Sequence, residues 1–181
     1  MLDTRQLHKH ILALDDGDDT QTRSVLQCLR DHDPQDWTAI PMEVSHSLVK
    51  ALQRQLLKPM TPPLPQKEIA TILGNMGTLA KAALPELIAL LHKGVPDPVR
   101  EAAIIACGKI GREAKAAVDH LVQLLSNARP SLVAHAIRAL GNIGCADGRV
   151  RSDRRAVPGP LPHTRRGQGR RGGFRRKVGG R

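Results

Sequence analysis

Apolar side chains recur at helical spacing along the middle of the chain, with polar side chains gathered on the opposite face. Residues 113–125 carry a wide apolar stripe and leave Lys115, Asp119 and Gln123 on another face, which predicts an amphipathic helix with one buried side. Residues 98–110 repeat this spacing and begin at a proline, which suits the first turn of a helix because that turn needs no backbone donor. The pattern therefore predicts helices separated by short breaks.

A five-residue motif with two glycines occurs three times. Its copies are Leu73-Gly-Asn-Met-Gly77, Cys107-Gly-Lys-Ile-Gly111 and Leu140-Gly-Asn-Ile-Gly144, spaced 34 and 33 residues apart. The alanine and aliphatic positions that follow the first copy match those that follow the second: Ala80, Ala83, Leu84, Leu87, Ile88, Leu90 and Leu91 correspond to Ala114, Ala117, Val118, Leu121, Val122, Leu124 and Leu125. This self-similarity predicts a repeated unit of two helices with a tight turn at the paired glycines.

The repeat register divides most of the chain into a short array. Residues 1–17 are predicted to form an N-terminal capping helix, and residues 18–58 a degenerate repeat. Two full repeats follow at 66–96 and 97–129, and a truncated one at 130–146. A single pair of helices buries too little apolar surface to fold alone, so we expect the units to stack on one another.

These repeats resemble HEAT repeats, in particular the short bacterial kind that also occurs in phycobilin-lyase-like families. The resemblance covers about residues 66–146. The TPLHxA string of ankyrin repeats is absent, and the chain lacks the aromatic residues of tetratricopeptide repeats. The resemblance implies an all-α fold, a right-handed α-α superhelix of the HEAT-type solenoid class. An irregular helical bundle is the alternative.

The resemblance also implies where a partner binds, because stacked units line up the solvent faces of their second helices. Mixed charge on those faces suits a protein partner better than a phosphate backbone, although a merely solvated surface fits each residue taken singly. We call this candidate surface the ridge and define it by nine side chains: Lys50, Gln53, Arg54, Lys81, Glu86, Lys115, Asp119, His120 and Gln123.

The predicted function is a protein–protein interaction scaffold with no catalytic activity, cofactor or metal of its own. No run of the sequence approaches eighteen apolar residues, so no membrane association is expected. Two alternatives stay open. One is a bilin-lyase-like or chaperone-like subunit that acts on a cofactor-bearing protein, and the other is nucleic-acid binding through the C-terminal residues.

The last predicted helix, residues 131–140, has no second helix after it in the repeat pattern. Part of its apolar stripe, formed by Leu132, Ile137 and Leu140, is therefore expected to stay exposed. Exposed aliphatic surface of this kind favours contact with another protein. Self-association through this uncapped repeat is the resulting prediction.

Charge is distributed unevenly along the chain. Residues 147–181 hold 12 of the 28 basic side chains, only two of the 17 acidic ones, and 8 of the 16 glycines. Since such a composition cannot bury a core, this tail is predicted to be disordered. The repeat register also fails here, because Asp147 and Arg154 stand where alanine and leucine are expected.

Two interpretations of the tail compete. It is either a basic arm that binds nucleic acid or an acidic surface, or a frameshifted translation of further repeats, which the nucleotide sequence around codons 144–150 would reveal. Nucleic acid is expected to bind only through residues 147–181. The candidate arm residues are Arg165, Arg166, Arg170, Arg171, Arg175, Arg176 and Lys177.

Candidate chemistry is sparse. Three cysteines without a CxxC pair make a disulfide framework or a zinc site improbable and favour a reducing cytoplasm. Cys107 occupies the motif position of Leu73 and Leu140, so it is assigned to the core, and Cys28 is assigned likewise. The acidic run 15–19 lacks the spaced ligands of a calcium loop and is interpreted as a solvated cap.

Overall fold

Nine α-helices follow one another in this computed structural model, which describes residues 4–16, 18–58 and 63–144; the described residues contain no β-strand. Short 3-10 segments, Gly77–Ala83 and Gly111–Ala117, lead into α6 and α8. The helices are α1 (Thr4–Asp16), α2 (Asp19–Arg30), α3 (Pro34–Thr38), α4 (Met42–Leu57), α5 (Pro63–Met76), α6 (Leu84–Ala89), α7 (Asp97–Ile110), α8 (Val118–Asn127) and α9 (Pro130–Ile143). The predicted disorder and the frameshift of residues 147–181 lie outside the described residues.

The helices form two rows. In the first row α2 packs on α5, α5 on α7, and α7 on α9. In the second row α4 packs on Gly77–Ala83 and α6, which in turn pack on Gly111–Ala117. Helix α1 packs on α4 at the start of the second row. The predicted helical-repeat solenoid of the all-α class is confirmed, and none of its described helices is long and apolar enough to cross a membrane.

Aliphatic side chains fill the space between the two rows. The first motif positions Leu73 and Cys107 are fully buried, and Leu140 is nearly so. Trp37, on the short helix α3, is the largest fully buried side chain, and α3 packs on α5. One continuous core therefore runs through the units, as expected when each helix pair depends on its neighbours.

The second glycine of each motif ends its helix. Gly77, Gly111 and Gly144 have φ of 58°, 71° and 73°, in the left-handed region that a residue with a Cβ rarely adopts. This part of the predicted tight turn is confirmed.

The first glycine of each motif has a different role from the one expected. A Cβ built on Gly74 would lie 2.9 Å from Ala106 Cα, and one built on Gly108 would lie 2.9 Å from Ala139 Cα. These glycines are inside α5 and α7, where they let neighbouring helices of the first row approach closely. The prediction that both glycines of a pair make the turn was therefore wrong for the first one.

The second helix predicted over residues 113–125 begins later than expected. Residues Gly111–Ala117 form a 3-10 segment, in which Ala114 leaves helical geometry with φ −82° and ψ 24°, and α8 begins at Val118. Side chains at i and i+3 eclipse one another in a 3-10 helix. Ala114 and Ala117 are both fully buried, as their places in the repeat predict.

Part of the apolar stripe on α9 is exposed, as predicted. Leu132 and Leu140 are buried, because they face back toward the array where α9 packs on α7 and α8. Ile137 is 47% exposed. The exposed part of this apolar stripe is therefore confined to the outer side of α9, where Ile137 lies.

Candidate functional site

The structure places the nine ridge residues on the second row of the array. Lys50, Gln53 and Arg54 lie on α4, Lys81 in the first 3-10 segment, and Glu86 on α6. The remaining four follow in the next unit, with Lys115 in the second 3-10 segment and Asp119, His120 and Gln123 on α8.

Several ridge side chains connect one unit to the next. Gln53 Nε2 donates to the Ala82 carbonyl oxygen at 2.9 Å and to Glu86 Oε2 at 3.1 Å. Lys81 forms an ion pair with Glu113 of the following unit. These bonds join α4 to α6 and the first 3-10 segment to the second, so they hold the ridge residues in a fixed register.

Charge pairing at Glu113 also affects its protonation. The hydrogen bond from Lys81, together with the charges of Lys81 and Lys115, holds the pKa of the Glu113 carboxyl below its ordinary value. Glu113 therefore stays ionised wherever an ordinary glutamate is ionised, and the ion pair to Lys81 is present across the neutral range.

Arg54 is directed toward the start of the array. Its Nη1 lies 2.7 Å from Asp15 Oδ2 of α1. This pair, in which Arg54 is exposed and Asp15 is half-buried, joins α1 to α4 beside the packing contact between the same two helices. Arg54 is therefore less available to a partner than its position in the sequence suggested.

Four exposed ridge residues remain for a partner. Lys50, Asp119 and Gln123 make no hydrogen bond or ion pair to another residue in the described part of the chain, and Lys115 acts on Glu113 only through its charge. Two of the four are cationic, one is anionic and one is an amide. A partner surface with both signs of charge fits this set best.

His120 is half-buried, unlike the exposed residues around it. Its ring lies edge-on to that of His92, with centroids 6.2 Å apart, and its Nδ1 is buried without a hydrogen-bond partner among the described residues. No cluster of three or more metal-ligating side chains occurs in the described ranges. Among the described residues, His92 and His120 therefore have no third metal-ligating side chain beside them.

A pair of adjoining grooves lies on the first row, a surface that the sequence analysis did not identify. One groove, of about 300 Å³, runs between α5 and α7, and the other, of about 200 Å³, runs between α7 and α9. Ile105 and Lys109 line both grooves, with Lys67 at one side and Arg138 at the other. Lys109 Nζ donates to Asn75 Oδ1 at 2.7 Å, which fixes its side chain over the first groove.

Small residues create these grooves. Gly74 and Ala106 line the first, and Gly108 and Ala139 line the second. A glycine in the first helix of one unit facing an alanine in the next therefore leaves a depression between the two helices. The motif glycines could be identified in the sequence. Because both glycines of each pair were assigned to the turn, the grooves beside the first glycine were not predicted.

The two described cysteines differ in environment. Cys107 is buried in the core as predicted, and burial raises the pKa of its thiol to about 12. Cys28 is exposed, so its assignment to the core was wrong; it is on the side of α2 that faces solvent near α1, with Sγ 4.0 Å from His10 Nε2. Burial, and the charge of His32, lower the pKa of His10.

We expect a thiol-specific reagent to distinguish these cysteines. At mildly alkaline pH the native protein should be alkylated at Cys28, whereas Cys107 should react only as the protein unfolds, because it is buried and its thiolate is scarce. Peptide mass spectrometry across a urea series would measure both rates. Alkylation of native Cys107 as fast as that of Cys28 would contradict the described core.

The candidate basic arm lies outside the described residues. Its residues are Arg165, Arg166, Arg170, Arg171, Arg175, Arg176 and Lys177. Nucleic-acid binding through them stays a prediction from sequence.

Comparison with known proteins gives one match. A family model described as HEAT repeats matches residues 49–141, from the middle of α4 to the first motif glycine of α9. This range includes all nine ridge residues and every residue that lines the grooves except Asn142. No curated protein and no solved structure matches the chain.

Proposed function

Because the chain belongs to the HEAT-repeat family, whose members generally mediate protein–protein interaction, we propose that it is a scaffold that binds a protein partner along the ridge. One observation supports this proposal above the others. The bonds from Gln53 to Glu86 and from Lys81 to Glu113 keep successive units in register, so that the unpaired ridge side chains form a fixed pattern. A pre-ordered pattern binds with a smaller loss of side-chain entropy.

The proposal assigns no catalytic step to this chain. Burial keeps the Cys107 thiol protonated, and the described residues contain no cluster of three or more metal-ligating side chains. Cys28 and Cys107 are both free thiols, which supports placing the protein in a reducing compartment such as the cytoplasm.

Charge reversal on the ridge tests the proposal. The variant Lys50→Glu/Lys115→Glu changes two exposed ridge cations that form no ion pair in the described structure. Because Lys115 acts on Glu113 through its charge, far-UV circular dichroism and thermal unfolding check that the variant keeps its fold. We expect a protein captured by the wild-type chain to bind this variant at least about tenfold more weakly, since like charges then face the partner's acidic groups. Calorimetric titration with the captured protein, purified, gives the ratio of dissociation constants.

A matched variant on the other row is the control. Lys67→Glu/Arg138→Glu makes the same charge change at the grooves, away from the ridge, at two exposed cations. Its affinity for the partner should stay close to that of the wild type. If instead the groove variant loses binding and the ridge variant retains it, the partner binds the first row and the ridge assignment is wrong.

A further inference from the structure

The two grooves of the first row occupy equivalent positions of successive repeats. Gly74 faces Ala106 in the first groove, and Gly108 faces Ala139 in the second. Ile105 lines both grooves, so it lies between them, and its side chain is 37% exposed. The first row therefore presents the same kind of depression twice, one repeat apart, with an aliphatic side chain between the two.

Cations without a carboxylate partner surround these grooves. Lys67 lies beside the first groove, Arg138 beside the second, and Lys109 beside both. None of the three forms an ion pair in the described part of the chain. Lys109 Nζ donates to the neutral amide oxygen of Asn75 at 2.7 Å, which orients the ammonium group and leaves its other protons for a ligand.

The one carboxylate among the lining residues already has a neighbour. Glu101 Oε1 lies 3.5 Å from Nε2 of His135, which lines the second groove. Two lysines and one arginine against one glutamate give the lining residues a net charge of +2 when His135 is neutral. A ligand that complements this surface therefore carries negative charge.

We propose that the grooves bind an extended acidic peptide segment of a partner protein, which crosses α7 over Ile105. One aliphatic side chain of the peptide enters each groove, and its carboxylates pair with Lys109 and with Lys67 or Arg138. The binding surface is separate from the ridge. No ridge residue lines a groove, so failure of this proposal leaves the ridge proposal standing, and the converse also holds.

The spacing of the grooves favours one peptide conformation. Packed neighbouring helices lie about 8–10 Å apart, so grooves at equivalent positions are separated by about this distance. A polyproline II chain has three residues per turn, which places residues i and i+3 on the same side about 9 Å apart. In a β-strand, successive side chains on one face are only about 7 Å apart. The peptide is therefore expected to carry its aliphatic residues at i and i+3.

The lining residues favour a peptide over a nucleic acid. They include no Phe, Tyr or Trp that would stack with a base. The Glu101 carboxylate would repel a phosphate backbone lying along the first groove, whereas an uncharged peptide residue fits beside it. Apolar side chains of a peptide also gain contact with Ile105 and with the alanines of the grooves.

Titration of the full chain with a designed peptide tests the proposal. The probe is acetyl-Glu-Val-Pro-Glu-Val-Glu-amide, in which the valines are spaced i and i+3 and proline favours the polyproline II conformation. The NMR signal of the Ile105 δ1 methyl group reports binding, because this side chain lines both grooves. We expect a saturable shift with a dissociation constant below about 1 mM. The isomer acetyl-Glu-Val-Pro-Val-Glu-Glu-amide has the same charge but the wrong spacing, and should bind at least about fivefold more weakly.

Removing charge from the grooves should weaken binding of the probe. In Lys67→Gln/Arg138→Gln, which changes two exposed cations, we expect the dissociation constant to increase at least about fivefold. Lys50→Gln/Lys115→Gln is the matched control, since it removes the same charge from the ridge and leaves residues 147–181 unchanged. Its dissociation constant should stay within about twofold of the wild-type value. Far-UV circular dichroism shows that both variants are folded.

Four results would overturn the proposal. The first is an Ile105 signal that does not move at millimolar peptide, and the second is an isomer that binds as well as the probe. The third is equal weakening by the groove and ridge variants, since net charge alone would then attract the peptide. The fourth is an oligothymidylate of equal charge that shifts Ile105 at lower concentration than the peptide, which would assign the surface to nucleic acid. A shift weakened by the isomer and by the groove variant alone supports the proposal.

Discussion

Replacing Gly108 with glutamine is expected to lower the free energy of unfolding by about 3 kcal/mol, although glutamine is the better helix former. The Cβ alone would lie 2.9 Å from Ala139 Cα and 3.1 Å from its Cβ, so a longer side chain forces α7 and α9 apart. Urea unfolding followed by far-UV circular dichroism measures the change.

The same substitution at Gly141 is the control. Gly141 holds the equivalent motif position in α9, but no described atom lies within 4 Å of a Cβ built there. In protein dilute enough to be monomeric, Gly141→Gln should raise the free energy of unfolding by about 0.5 kcal/mol through helix propensity alone. If the substitution lowers the free energy of unfolding at position 108 and raises it at position 141, then helix stacking, and not the motif itself, requires glycine at 108. Equal effects at both positions would contradict the described contact.

Replacing Trp37 with alanine is expected to lower the free energy of unfolding by about 3–5 kcal/mol. Trp37 is 1% exposed and is the largest fully buried side chain of the array. Its ring lies edge-on to His32 with centroids 6.2 Å apart, and its helix α3 packs on α5. Truncation therefore leaves a cavity where the first helix pair meets the next unit. Thermal and urea unfolding by circular dichroism would give the loss.

Trp37→Phe separates the packing of the ring from its polar group. The indole Nε1 is buried without a hydrogen-bond partner among the described residues, so phenylalanine removes an unsatisfied donor while it keeps most of the apolar contact. We expect this variant to cost about 1.5 kcal/mol or less. If alanine and phenylalanine destabilise the protein equally, the tryptophan stabilises it through a bond to Nε1 that the described contacts lack.

The order of the units could be predicted from the sequence because each unit repeats the same buried positions. Leu73, Cys107 and Leu140 all fall in the core, and the helix expected over residues 98–110 is observed as Asp97–Ile110. The start of the second helix could not be predicted in this way. Two buried alanines three residues apart fit an α-helix as well as a 3-10 helix, so the apolar pattern does not reveal the 3-10 segment Gly111–Ala117.

The candidate site was predictable in its position and not in its contacts. Because stacking lines up equivalent helices, the sequence placed the ridge residues on α4, α6 and α8 and the segments that precede them. The sequence does not show which ridge residues bond to each other. That depends on whether a side chain of one unit can reach a side chain of the next, as Gln53 reaches Glu86. The grooves could not be predicted from the sequence. Their prediction requires knowing that Gly74 and Gly108 face alanines of another helix, and this depends on the distance between the helices.

The two-row packing has a consequence for synthesis on the ribosome. Each helix pair contacts mainly the pair before it and the pair after it, so the contacts between units reach only as far as the neighbouring repeat. Structures with such local contacts fold quickly, and domains that emerge first can fold before the rest is translated. The N-terminal helices, including the one that carries Trp37, can therefore pack while later units are still in the exit tunnel, and each new pair then has a folded surface on which to form.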